Sequence, residues 1–107
     1  MLSWIEAVAF CRLYGMDLAS IESREEDVLI ANHLNEIGLK MTVYVWISGN
    51  KIGRAAYMWL NGEQLIYENW TAGEPGNFAT EHCIGTNKGT WYDLPCINSY
   101  HFICEEP

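Results

Sequence analysis

Long hydrophobic runs are missing from this chain. No uncharged apolar stretch approaches the roughly 20 residues a bilayer span requires, and the Met1 end has no basic flank followed by a hydrophobic segment. Neither a membrane anchor nor a signal peptide is expected within these 107 residues. Basic side chains are also scarce, with 6 Lys and Arg against 14 Asp and Glu for a net charge of -8. That balance repels phosphate backbones and anionic lipid surfaces, so nucleic acid and membrane are excluded as expected partners. An acidic surface remains compatible with divalent cations. No CxxC pair occurs, which disfavours zinc and redox chemistry. Internal repeats, linkers and low-complexity tracts are absent as well.

What is present begins with four cysteines, Cys11, Cys83, Cys96 and Cys104, an even number in a short chain. They read as a disulfide framework and point to an oxidising, extracellular compartment, which implies that any leader has been removed. Three pairings are possible. One of them, Cys11 to Cys104 with Cys83 to Cys96, would tie the two ends together and close one local loop, contributing about 4.6 and about 2.9 kcal/mol on a chain-entropy account.

The N-terminal third predicts two helices, opened by Ser3 with Glu6 and by Ser23 with Glu26, each pair spaced as a capping box. Trp4, Val8 and Cys11 share one face of the first helix, and Gly15 is a natural stop. The second helix carries Glu25, Glu26 and Asp27 in its first turn, where the helix dipole favours negative charge. Its apolar set, Ile30, Leu34 and Ile37, is expected to face inward, with Gly38 following. From Thr42 onward the chain turns to short β-prone pieces at 43–47, 57–60 and 101–104, with turns at 49–54 and at Asn61-Gly62. Residues 66–95 have little periodicity and are too many for an ordinary connection, so they are expected to form a long binding loop. The expected class is α+β, a single domain over 1–107.

Several features then line up in order: Ser3-Trp4 with Ala7 and Cys11; Leu18-Ala19-Ser20-Ile21; Val45-Trp46-Ile47-Ser48-Gly49; and Trp59. They continue with Asn69-Trp70, Gly73-Glu74-Pro75, Glu81-His82-Cys83, Trp91-Tyr92-Asp93-Leu94-Pro95-Cys96 and Phe102-Ile103-Cys104-Glu105. In this order and spacing the chain resembles the C-type lectin-like domain over nearly its whole length. The Ala72-Gly73-Glu74-Pro75 and Glu81-His82-Cys83 stretches look most like secreted insect lectins.

The resemblance implies a C-type lectin-like fold: two helices flanking two small antiparallel sheets, a long ligand-binding loop region, and the nested pairs Cys11–Cys104 and Cys83–Cys96. It also implies at most one Ca²⁺ site, since a hard cation takes six to eight oxygen ligands and a sugar with vicinal hydroxyls can supply two. Matched to the family motif, Glu74, Glu81 and Asp93 are the expected metal and carbohydrate ligands, with Asn77 as a fourth and Pro75 as the cis residue that aims them. Two positions depart from the pattern. Gly76 follows Pro75 where mannose-type members have Asn, and Tyr92 stands where Asn precedes the Asp. A bulge at Gly76 would bring Asn77 into the vacant place. His82 replaces an Asp ligand, and residues 52–57 lack carboxylates, so no auxiliary Ca²⁺ site is expected. The family's first strand is missing before Ser3, which leaves the strand around 102–105 with an open edge.

Trp46, Trp59, Trp70 and Trp91 match family core positions, and with Trp4 they are expected to be buried rather than to form a sugar-stacking platform. Asn69-Trp70-Thr71 is a glycosylation sequon in a partly buried turn, where occupancy is not expected. Glu74 and Glu81 could in principle act as an acid and base pair, but nothing marks an apolar cleft to separate their pKa values, and no nucleophile setting accompanies them. The chain is therefore expected to be no enzyme. The leading expectation is a secreted lectin for glycan or glycoprotein ligands, serving pattern recognition in innate immunity through a weakened Ca²⁺ site. The other is a Ca²⁺-independent module that binds a protein partner, acting as a dimer or heterodimer.

Overall fold

Each helix begins where a serine side chain replaces a missing backbone acceptor. In the computed structural model, which describes residues 1–38, 43–76, 80–87 and 89–106, the first helix α1 (Trp4–Leu13) opens with a complete capping box. Ser3 Oγ accepts from the Glu6 N–H at 3.3 Å, and Glu6 Oε1 accepts from the Ser3 N–H at 3.0 Å. Helix α2 (Arg24–Glu36) opens with half of one. Ser23 Oγ accepts from the Glu26 N–H at 3.2 Å, but Glu26 Oε1 accepts from the Glu22 N–H and the Ser23 hydroxyl instead of the Ser23 N–H. Ser23 is fully extended, with φ -149° against -67° at Ser3, and its neighbour's N–H becomes the donor within reach.

The helices also dock differently. Trp4, Ala7, Val8 and Cys11 of α1 are all buried, as their spacing predicts, and Gly15 ends the helix at φ 72° with its N–H on the Arg12 carbonyl. In α2 the only buried residue is Asp27. Ile30 and Leu34 are half-buried, and Ile37, expected to face inward, is 56% exposed. This face meets polar loop groups as well as core, which is why a carboxylate, and not an aliphatic side chain, sits deepest.

Among the described residues six strands follow one another: β1 (Asp17–Leu18), β2 (Val45–Asn50), β3 (Glu81–Asn87), β4 (Thr90–Pro95), β5 (His101–Phe102) and β6 (Cys104–Glu105). β1 and β6 pair antiparallel, bringing the two ends of the chain together. The second sheet has the order β4-β3-β2-β5. It is mixed and not antiparallel as expected, because β5 lies parallel to β2, a pairing open to strands joined by a long crossover. Two further expectations are corrected. Residues 66–95, read as a long loop, contain the hairpin β3–β4, whose registers run from Glu81↔Pro95 to Asn87↔Thr90. β3 buries four consecutive residues, Cys83 to Thr86, so it shows no alternation in its sequence. The stretch 57–60, read as a strand, contributes only the bridges of Met58 to Asn50 and Gln64.

The core falls into two clusters. Trp4, Ala7, Val8, Cys11, Leu18, Trp46, Cys83 and Leu94 form one, and Ile21, Ile47, Trp59, Ile84 and Trp91 form the other. Gly85 lets β4 close over β3, since a Cβ there would lie 2.7 Å from Leu94 Cδ1. The cysteines pair as Cys11–Cys104 and Cys83–Cys96, so α1 is bolted to β6 and β3 to the end of the hairpin. Leu2 and Tyr100 exchange backbone hydrogen bonds of 3.0 and 2.9 Å just before β5. Among the described residues no helix is long and apolar enough to cross a membrane.

Candidate functional site

The hairpin β3–β4 delivers two of the expected ligands and the preceding loop a third. Glu81 opens β3, Asp93 lies on β4, and Glu74 precedes Pro75 across a cis peptide bond, as the motif match anticipates. Asp93 is 1% exposed, whereas Glu74 and Glu81 are half-buried. Asn77, the expected fourth ligand, lies outside the described residues.

Asp93 is held from two sides. The Gly76 N–H donates to Oδ1 at 2.9 Å, and the Tyr57 hydroxyl donates to Oδ2 at 3.3 Å. The same hydroxyl lies 3.2 Å from the Glu81 carbonyl oxygen. Burial, followed by the Asp93 charge, pushes the Tyr57 phenol far above its ordinary range, so it stays a neutral donor at any physiological pH. Burial also raises the Glu74 carboxyl, with the charges of Asp93 and Glu81 adding to it, and the Glu74 carboxyl meets that of Asp93 directly. Glu81 is raised by burial and then by Asp93. The Asp93 charge thus bears on both glutamates, and that of Glu81 on Glu74.

Carboxylate and amide oxygens are the donor set of a hard cation. As they stand, the acids are neighbours without converging on a point: among the described residues no three His, Cys, Asp or Glu side chains are arranged to hold a metal ion. Tyr92 supplies no amide oxygen where the family pattern has one. Its ring packs edge-on against Tyr44 at 5.3 Å between centroids, and Tyr44 in turn packs against Tyr100 at 5.1 Å.

Two contributing residues escaped the sequence reading. Tyr57 lay in a stretch read as a strand, and nothing local distinguishes a phenol that will reach a distant carboxylate. Asp27 left a signal: it precedes Ile30 and Leu34 by three and seven positions, so an acid occupies the apolar stripe of a helix. The Tyr67 hydroxyl and Asn69 Nδ2 donate to its Oδ2 at 3.0 and 2.8 Å, docking α2 onto the loop. Asn69 Nδ2 also donates to the Gly89 carbonyl at 2.7 Å, so the sequon's attachment atom is engaged inside the fold. Trp4, Trp46, Trp59 and Trp91 are buried, while Trp70 is half-buried, packs against Trp91 and donates its indole N–H to Glu68 at 3.0 Å.

Two helices on a paired-sheet core, one of them bolted to it by the outer of two nested disulfides, with a cis proline in an acidic loop, define the C-type lectin-like class. The chain belongs to that family, and the family model described as "Lectin C-type domain" matches residues 1–106. It is similar to C-type lectin 37Db of Drosophila melanogaster, 36% identical over 110 residues covering 96% of this chain and 70% of that protein. It is also similar to one chain of the snaclec coagulation factor IX/factor X-binding protein of Gloydius halys, 31% identical over 112 residues at 96% and 70% coverage. The solved carbohydrate-recognition domain of the mouse scavenger receptor C-type lectin superimposes with a TM-score of 0.85 at 31% identity, covering 96% of this chain and 79% of that one. The family consists in general of binding modules and not enzymes.

Proposed function

We propose that this domain is an extracellular, non-catalytic lectin that binds glycans with the help of one Ca²⁺ ion, held by Glu74, Glu81 and Asp93 with Asn77 as the fourth side chain. The observation that carries this reading is the grouping of two glutamates around the Asp93 charge beside a cis proline, where that charge raises both glutamate carboxyls and a divalent cation would offset it. When bound, the ion would supply positive charge and open coordination positions for vicinal hydroxyls. The chain's part is to hold the acids: Gly76 and Tyr57 fix the Asp93 carboxylate, and the β3–β4 hairpin brings Glu81 within reach of its charge.

The test is a calorimetric Ca²⁺ titration with the melting temperature followed in parallel, since a ligand of the folded state must stabilise it. Stabilisation should appear by about 10 mM, which lies beyond the weak end of extracellular sites. The Glu81→Gln variant should lose both that stabilisation and Ca²⁺-dependent retention on a sugar column. A wild-type protein with neither heat nor shift would sink the metal reading.

A second reading is favoured by the Tyr92 ring at the place of an amide ligand: a Ca²⁺-independent module that binds a protein through the same loops, as a dimer or heterodimer. The Gloydius halys relative, by its name one chain of a protein that binds coagulation factors, supports it. A strictly monomeric protein at micromolar concentration, with no partner recovered from its source fluid, would count against this reading.

A further inference from the structure

A helix docked by one face ordinarily turns a polar face to water, as α2 does at Glu25, Asn32 and Glu36. α1 does not. Its only charged side chains are Glu6 and Arg12. Ile5 is 59% exposed and Leu13 77%, and Ala9 between them is exposed too. The three lie four residues apart and form one ridge on the side opposite the buried Trp4, Ala7, Val8 and Cys11. Phe10 and Tyr14, in ring contact at 5.1 Å between centroids, widen it on one flank, and Met1 stands exposed before the helix.

The two charges beside the ridge are engaged within the chain. Glu6 Oε1 accepts from the Ser3 N–H at 3.0 Å, and Arg12 Nε donates to Asp17 Oδ1 at 3.2 Å. An occupant of this face therefore need bring no charge of its own, and the net charge of -8 turns away an anionic lipid surface.

The ridge complements itself. When two copies of α1 cross antiparallel with a twofold axis at Ala9, Ile5 of each meets Leu13 of the other, because both lie four residues from the centre. Such ridges interdigitate at a crossing angle of about -50°, and a small residue at the crossing point favours the near end of the roughly 8–10 Å range of axial distances. Area points the same way. At roughly 200 Å² for a side chain of this size, the exposed parts of Met1, Ile5, Phe10, Leu13 and Tyr14 amount to about 600 Å² on each copy. That is the upper end of the largest apolar patch on an ordinary monomer. Covering it on two copies removes about 1,200 Å² from water, the lower bound of a specific interface.

We propose that α1 is a self-association face on which a second copy of this chain docks antiparallel through the Ile5-Ala9-Leu13 ridge. The face includes none of Glu74, Glu81 and Asp93, so the dimer presents both loop sites at once and raises avidity for a repeated glycan. That consequence rests on the lectin reading, whereas the dimer itself does not.

The experiment is sedimentation equilibrium of the domain in EDTA, from about 10 µM to about 1 mM, which spans the Kd of about 100 µM expected for an interface this small. A monomer–dimer equilibrium is expected, and it should tighten as salt rises, because screening weakens the repulsion between two acidic copies. Ala9→Glu sets two carboxylates against each other at the twofold axis and should abolish the dimer, with the melting temperature kept because the position is exposed and helical. Ile5→Lys and Leu13→Glu should each weaken the dimer about tenfold or more, and the double variant should recover it, since opposite charges then meet across the axis. Glu81→Gln should leave it intact, so the result stands apart from that of the Ca²⁺ site. A protein that stays monomeric throughout, or a dimer that survives Ala9→Glu, would overturn the proposal. So would a double variant no better than its parents.

Discussion

α1 and α2 begin with the same local device, a serine followed three residues later by a glutamate, and are then held by different forces. α1 buries a tryptophan, an alanine, a valine and a cysteine, hangs the Trp4 indole N–H on the Ile47 carbonyl at 2.9 Å, and is linked covalently to β6. α2 buries only Asp27 and rests on two hydrogen bonds from the loop, with Ile30 at the edge of the second cluster. A capping signal marks where a helix starts and says nothing about what will hold it in place. Apolar burial and a cross-link make α1 part of the frame. Directional polar contacts make α2 the element whose attachment depends on loop chemistry.

The largest expected effect separates the two modes of attachment. Replacing Cys11 and Cys104 together by Ala should cost about 2–5 kcal/mol in denaturant unfolding and should raise hydrogen exchange in α1 more than in α2. A uniform rise in both helices would show that the frame is not local to α1.

Next in size, Asp27→Ala leaves the Tyr67 hydroxyl and Asn69 amide without their acceptor and should cost about 1–3 kcal/mol. Exchange in α2 should rise selectively, with α1 unaffected. A loss confined to α1 would reverse the assignment of roles.

Smaller still are the caps. Ser3→Ala removes half of a closed box and should cost about 1–2 kcal/mol, whereas Ser23→Ala should cost about 0.5–1 kcal/mol because its box is already open on one side. Equal losses in thermal unfolding would mean that closure of the box adds nothing.

The last prediction concerns pH and has opposite signs at the two helices. The Ser3 backbone N–H, then its hydroxyl, hold Glu6 at the start of α1 below the ordinary carboxylate range, so the cap's contribution is present above that range and fades as pH falls. Burial holds Asp27 above its ordinary value, as it does Glu105. Their contributions are therefore full below the usual carboxylate range and are lost as pH rises through their folded values. In chelator the melting temperature should be higher near pH 5 than near pH 8, about one unit above and well above ordinary carboxylate values. Asp27→Asn should flatten that slope. A melting temperature that falls on mild acidification would contradict the buried-carboxylate account.

Legibility in the sequence followed the range of the interactions. Ser3, Ser23, Gly15 and the Trp4-Val8-Cys11 face are local patterns, and each appears in the structure where its spacing puts it. The acids Glu74, Glu81 and Asp93 were legible as types set in motifs, and their shared field follows from the pairing of β3 with β4. That hairpin was not legible, because a strand buried on both faces loses the alternation by which a strand is read.

The class of fold, the helix starts, the cysteine partners allowed and the chemical type of the loop acids are legible along the chain, since backbone capping, chain spacing and side-chain ionisation act over a few residues. That β5 runs parallel to β2, that Tyr57 reaches Asp93, and that Tyr67 and Asn69 reach Asp27 on α2 emerges at the tertiary level alone. Those outcomes depend on which distant segments share a buried volume, and burial is settled by the packing of the whole chain.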